Sequence, residues 1–213
     1  MKKIVIFAIA ALVACSCGTL ASSGSSSSSS SSANRSSSAG SGIRVAKGSG
    51  TETITFNSLP SSAEELQNLS GVDKTDPYVV AALTVAALMQ YEKNNSECME
   101  MLDLLNGPND ISGYDKQFLR ERLTGKFYKV RSFFTGATPD NNYTPSSPYK
   151  VKVTSNSYSF QSGGYATLYL TSGGADTPRP IRLRKKESTG EWFLNEITFL
   201  SDIRKPASED PWR

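Results

Sequence analysis

The densest charge in the chain is Arg179, Arg182, Arg184, Lys185 and Lys186, five cations within eight residues. On a strand, alternate residues share a face about 7 Å apart. Arg182, Arg184 and Lys186 would then form a row suited to an anionic polymer or to lipid headgroups. The same row would also serve as a solvated sheet face that discourages edge pairing. A second group is aromatic: Tyr143, Tyr149, Tyr158, Phe160, Tyr165 and Tyr169 lie among Gly, Ser and Asn. Tyr143, Tyr158 and Tyr165 are the candidates for a platform on which rings stack on sugars, and core packing accounts for at least half of the six. The sequence has no histidine, which removes Ser-His-Asp and Cys-His catalysis and every histidine-containing metal site. The enzymatic alternative is a hydrolase using carboxylates alone, with Asp140, Asp176 and Glu196 as participants, although no spacing supports them. Asp103, Asp110 and Asp115 lack the spacing of a calcium loop and read as helix-end charges. Ser162-Gly163-Gly164 and Ser172-Gly173-Gly174 read as hairpin connections, because neither follows a strand and opens a helix with a lysine in the P-loop manner. No catalytic residue, metal site or cofactor is expected.

The N-terminus carries chemistry of another kind. Met1-Lys2-Lys3 is a positive leader, and Ile4 to Ala14 is an apolar run too short to span a bilayer of about 30 Å as a helix. It ends Leu12-Val13-Ala14-Cys15, which resembles the lipobox of bacterial lipoproteins. That resemblance implies cleavage before Cys15, diacylglycerol on its thiol and acylation of the new terminus; Cys17 lacks the aliphatic residue that the motif requires. Residues 1–14 are thus expected to be a lipoprotein signal peptide. Each buried CH₂ adds about 0.8 kcal/mol, so several chains would hold the protein at a bacterial envelope membrane, anchored and not spanning. Cleavage removes Lys2 and Lys3 from the 23 cations and leaves a formal balance of +1 against 20 acids. Global charge then favours neither nucleic acid nor an acidic substrate. Three cysteines give no disulfide framework, and Cys98 reads as a small core hydrophobe.

Residues 15–50 are nearly all Ser, Gly, Ala and Thr, with Ser25 to Ser32 unbroken. Such a segment has nothing to bury, so a disordered tether is expected, with a reach of roughly 30–36 Å.

The elements that position the candidate residues follow from residue 51. Glu52 to Asn57 alternates as a short strand. Ser61-Ser62-Ala63-Glu64 has capping-box spacing before a short helix. Asp76-Pro77 then opens the most apolar run outside the leader, Tyr78 to Tyr91, interrupted only by Thr84 and Gln90. Apolar residues pointing in nearly every direction predict a central helix covered on all sides. A helix after Asn95 carries Cys98, Met101, Leu102 and Leu105 and stops at Asn106-Gly107-Pro108, and Ser112 opens another through Leu123. Residues 127–134 fit either strand or helix. Strands follow at Tyr149–Thr154, Tyr165–Thr171, around Ile181–Leu183 and Trp192–Phe199, with connections that favour a meander. The fold class is α+β, with three to four helices on an antiparallel meander sheet. One domain is expected over 51–213: a helical part at 61–124, a sheet part at 127–200, and a tail at 201–213 whose Trp212 latches onto the body.

The segments Gly136 to Pro145, Pro148-Tyr149, Tyr158-Ser159-Phe160, Gly164-Tyr165-Ala166, Ser172 to Pro180, Leu183-Arg184-Lys185-Lys186 and Asp202 to Trp212, in that order, resemble a bacterial domain-of-unknown-function family. The resemblance covers roughly residues 75–212. It implies one folded module, common on secreted or lipid-anchored chains, and carries no activity or assigned site. The resulting expectation is a non-catalytic, lipid-anchored envelope module that binds or scaffolds an envelope glycan, an anionic polymer or a protein partner.

Overall fold

The computed structural model describes residues 41–212; the expected signal peptide, Cys15 and nearly all of the expected tether lie outside the described residues. The organising element is the helix Pro77–Leu88 (α2). Asp76 caps it by accepting the Tyr78 amide at 3.0 Å, and Pro77 occupies the first turn, where no amide is needed. Every residue from Val79 to Leu88 is buried, as an apolar surface with no polar side requires. The one polar group within it is satisfied internally, Thr84 Oγ1 donating to the Val80 carbonyl at 3.0 Å.

Two layers supply that cover. A six-stranded antiparallel sheet runs in chain order: β1 (Ile43–Gly48), β2 (Thr51–Phe56), β3 (Tyr149–Thr154), β4 (Tyr165–Leu170), β5 (Arg179–Lys185) and β6 (Trp192–Glu196). Alternation along the strands sends Ile54, Phe56, Val151, Val153, Ala166, Leu168, Leu170, Ile181, Leu183 and Leu194 inward, all buried. The opposite-phase residues Thr53, Lys150, Lys152, Thr167, Tyr169, Arg182 and Arg184 are all at least partly exposed. All helices between β2 and β3 are inserted into one hairpin-like pairing, with Ile54 opposite Val151. They are α1 (Ala63–Gln67), α2, α3 (Asn95–Asn106), α4 (Gly113–Leu123) and the short α5 (Tyr128–Arg131). α3 buries Cys98, Met101, Leu102 and Leu105, the face read from sequence spacing. Ser62, Asn94 and Ser112 cap α1, α3 and α4 through their side-chain oxygens.

Three differences from the sequence reading, and one point that it leaves open, have physical causes. The ordered body begins before residue 50, because β1 lies within the expected tether; Gly50, at φ +63°, turns it back onto β2 with Val45 opposite Ile54. Only Ile43 and Val45 carry the inward phase there, too weak a signal beside Ser and Gly. Residues 128–131 are helical, and Phe133 and Phe134 after them are core residues. The last strand stops at Glu196; Ile197, Phe199 and Leu200 are buried beyond it, and Phe199 meets Phe133 edge-on at 5.1 Å. Trp212 is no latch, since it is 94% exposed, while Ile203 and Pro206 are buried in the tail.

Leu83→Ala, removing a fully buried α2 side chain, is expected to lower stability by about 2–5 kcal/mol in urea denaturation. Trp212→Ala is expected to stay within about 0.5 kcal/mol of the parent; a large loss there would restore the latch.

Candidate functional site

The inward burial of Ile181 and Leu183 fixes the phase of β5 and turns Arg182 and Arg184 to the other face. The five cations then divide by what they touch. Arg179 is structural: it donates to the Asp202 carbonyl at 2.7 Å and sits 3.8 Å from the Asp202 carboxylate, clamping the tail. Arg182 is engaged by Glu196 at 3.2 Å and lies 4.8 Å from the Tyr165 ring centroid. Arg184 shares that ring at 5.6 Å. Lys185 has only the exposed Glu187, at 3.9 Å. Among the described residues, Arg184 and Lys186 have no carboxylate within ion-pair distance.

Arg184, Lys185 and Lys186 line one wall of a cavity of about 430 Å³. The rest of its lining comes from the α3–α4 connection, with the carboxamides of Asn106 and Asn109, from β6, where Phe193 lies directly across from Arg184 beside Asn195, and from Glu187 after β5. The connection is braced by Asn106 Nδ2 donating to the Asn109 carbonyl at 3.0 Å and by Asp103 accepting the Ile111 amide at 2.8 Å. Gly107 is required here twice over. Its φ is +89°, and a Cβ would stand 2.7 Å from Phe193 Cδ1, so only glycine lets α3 end against that ring. A second hollow of about 590 Å³ shares Pro108, Lys186 and Phe193 and carries Glu100, Asp103 and Asp110 on its far side. The groove is thus basic at the β5 end and acidic along α3. Cations, amides and a phenyl face in one cavity can hold an anionic, hydroxyl-rich chain by charge, hydrogen bonds and ring contact.

The remaining candidates are dispersed. Tyr143 belongs to the core: it is fully buried, stacks on Tyr128 at 5.7 Å, and donates to the Arg204 carbonyl at 2.8 Å. Burial pushes its phenol up to about 12. Tyr158 is 72% exposed on the β3–β4 connection, and Tyr165 lies under two guanidinium groups, so Tyr143, Tyr158 and Tyr165 do not form one platform. Asp176 is bonded to Arg204 at 2.7 Å, Asp140 lines a hollow beside Arg204, and Glu196 is taken by Arg182; the three carboxylates are not assembled into one site. Burial pushes the Cys98 thiol up to about 12, which keeps it protonated. Among the described residues no group of three or more acidic or cysteine side chains is placed to hold a metal ion.

Asn106, Asn109, Phe193 and Asn195 escaped the sequence reading. The signal available in the sequence is Asn106-Gly107-Pro108, which reads as a helix stop.

No curated protein and no solved structure matches the chain. A family model does match, over residues 58–207, which takes in every helix and the strands β3 to β6. The chain therefore belongs to the family described as a domain of unknown function, DUF6935.

Proposed function

We propose that the protein is a lipid-anchored bacterial envelope component whose α+β module binds an anionic glycan or similar polymer without transforming it. The observation that carries this reading is the pair of cations without carboxylate partners among the described residues, Arg184 and Lys186, in the lining of a cavity that also holds Lys185, three carboxamides, Phe193 and a single carboxylate, Glu187. A cation already held by a carboxylate gives little to a new partner. Arg182 and Arg179 are held in that way, so the working group is Arg184 and Lys186, with Lys185 added because its one contact, to the exposed Glu187, is long at 3.9 Å. Exposed pairs contribute only about 0–1 kcal/mol each, so a useful affinity needs several contacts along a chain, which suits a polymer better than a single small anion. Charge contacts near the surface are screened within about 8 Å at physiological ionic strength, so binding is salt-sensitive. Cys15, with the apolar run before it, supports the anchor and the envelope location. Among the described residues no helix is long and apolar enough to cross a membrane.

The triple substitution R184S/K185S/K186S is expected to elute from an acidic polysaccharide column at clearly lower salt than the parent, whereas R182S shifts little. Equal elution of triple variant and parent would end the polymer reading. Mass analysis of the mature terminus should find an acylated Cys15, and an unmodified cysteine or cleavage elsewhere would remove the anchor.

A further inference from the structure

Glu52 breaks the pattern of its strand. It is in phase with Ile54 and Phe56 on the inner face, where it is only 8% exposed. Its Oε1 lies 3.5 Å from Lys47 Nζ, but its Oε2 is buried and accepts no hydrogen bond. A second carboxylate meets it from another element. Asp76 is 9% exposed; its Oδ1 caps α2 and its Oδ2 takes Lys47 Nζ at 2.7 Å. Two buried carboxyls from β2 and the start of α2 therefore converge on one ammonium, which belongs to a side chain 66% exposed.

The fold gains nothing evident from this arrangement. A third apolar residue at position 52 would continue the core, and an unsatisfied buried oxygen is destabilising. Departures of this kind from a strand's own pattern concentrate where function requires them. The surroundings are those of a binding site. The carboxyls line a cleft of about 420 Å³ whose other walls are Phe160, Trp192 and Tyr78, with Asp73 at the rim. Phe160 is 48% exposed and meets Trp192 at 6.3 Å between centroids, edge to face, so ring surface is open to a ligand. The Tyr78 hydroxyl donates to Ser155 Oγ at 2.7 Å, tying the β3–β4 connection that carries Phe160 to α2.

We infer that this cleft binds a ligand bearing a primary ammonium group on a ring or apolar body. Two carboxyls meet one cation here, with the Asp73 carboxylate also in the lining, and carboxylates beside aromatic faces form the standard setting for a desolvated ammonium. Lys47 marks the position: its own Nζ occupies the place between Asp76 and Glu52 that a ligand's ammonium would take. Being mostly exposed on a flexible stem, it is the part that moves aside. The ligand's ammonium then bonds the two carboxyls, and its body lies on Phe160 and Trp192. This cleft is independent of the polymer groove. Consecutive residues divide them, Trp192 lining the acidic cleft and Phe193 the basic groove.

The test uses the full chain carrying Trp212→Phe, which leaves Trp192 as the only indole, since the sequence holds two tryptophans. Phenethylamine and its N-acetyl derivative are titrated while Trp192 fluorescence is followed. The amine is expected to give a saturable change, with binding at least tenfold weaker for the acetylated probe. Glu52→Gln, which keeps the shape, is expected to weaken the amine at least tenfold. Phe160→Ala, at a half-exposed position, is expected to weaken it several-fold. Lys47→Met removes the internal competitor and is expected to tighten it. No saturable change, equal binding of both probes, or an unchanged Glu52→Gln variant would overturn the assignment. So would weaker amine binding in a Lys47→Met variant whose circular dichroism matches the parent.

Discussion

Covering α2 on every side is the constraint from which the remaining architecture follows. A helix with one apolar stripe can lie on a surface; one that is apolar all round must be enclosed, and no single layer encloses a rod. The inner face of the sheet covers one flank, from β2 across to β6, and α3 covers another. That enclosure explains why the helices are inserted between two strands that pair with each other. Residues 57–148, 92 in all, separate Phe56 at the end of β2 from Tyr149 at the start of β3, yet Phe56 lies opposite Tyr149, so the chain leaves the sheet, builds the helical cover and returns to the same edge. The arrangement uses up the inner face completely. What is left for partners is the outer face, the sheet ends and the loops where helices meet strands.

The two cavities considered above occur at such places. One lies where the end of α3 reaches β6, and the other where the β1–β2 hairpin meets the start of α2. Both are made possible by a local departure from ordinary packing. At the first, Gly107 removes a side chain so that Phe193 can approach the helix end. At the second, Glu52 puts a carboxyl where an apolar group belongs. The segment between α1 and α2 supports both: the Lys74 carbonyl accepts the Trp192 amide at 2.8 Å, and the Lys74 ammonium stands 5.9 Å from the Phe193 ring centroid.

What could be read in the sequence was local. Asp76-Pro77 gave the start of α2, the three-and-four spacing of Cys98, Met101, Leu102 and Leu105 gave the buried face of α3, and alternation from Tyr149 to Val153 gave the phase of β3. Each is a property of neighbouring residues and survives folding unchanged. The basic wall of the groove was legible for the same reason, since Arg184, Lys185 and Lys186 are adjacent. Their amide and phenyl counterparts come from residues about 80 positions earlier and about 10 later, and only the return of α3 to β6 brings them together. Tyr143 and Trp212 failed in opposite directions because burial of a single aromatic depends on tertiary contacts: the first is covered by Tyr128 and the tail, the second by nothing among the described residues. Glu52 was legible in principle. Its spacing from Ile54 and Phe56 marks the inward phase, but the polarity of a glutamate in a Thr-rich strand gives no sign that the carboxyl is buried.

The extent of the family match bears on how these features are distributed. The matched region begins at residue 58, whereas the sheet begins at Ile43. β1 and β2 therefore lie outside it, although Ile54 and Phe56 are fully buried and β2 pairs along the whole of β3. A sheet of β3 to β6 alone would leave the free edge of β3 and the adjoining flank of α2 uncovered, and the hairpin is what closes them in this chain. It also carries Lys47 and Glu52, while Asp76, Phe160 and Trp192 fall inside the match. The acidic cleft is thus assembled across the boundary, from the shared module on one side and the preceding hairpin on the other. The basic groove is built wholly within the shared module. Binding to the groove would draw on residues belonging to the matched domain, and binding to the cleft would depend on the segment that leads from the N-terminal chain into it.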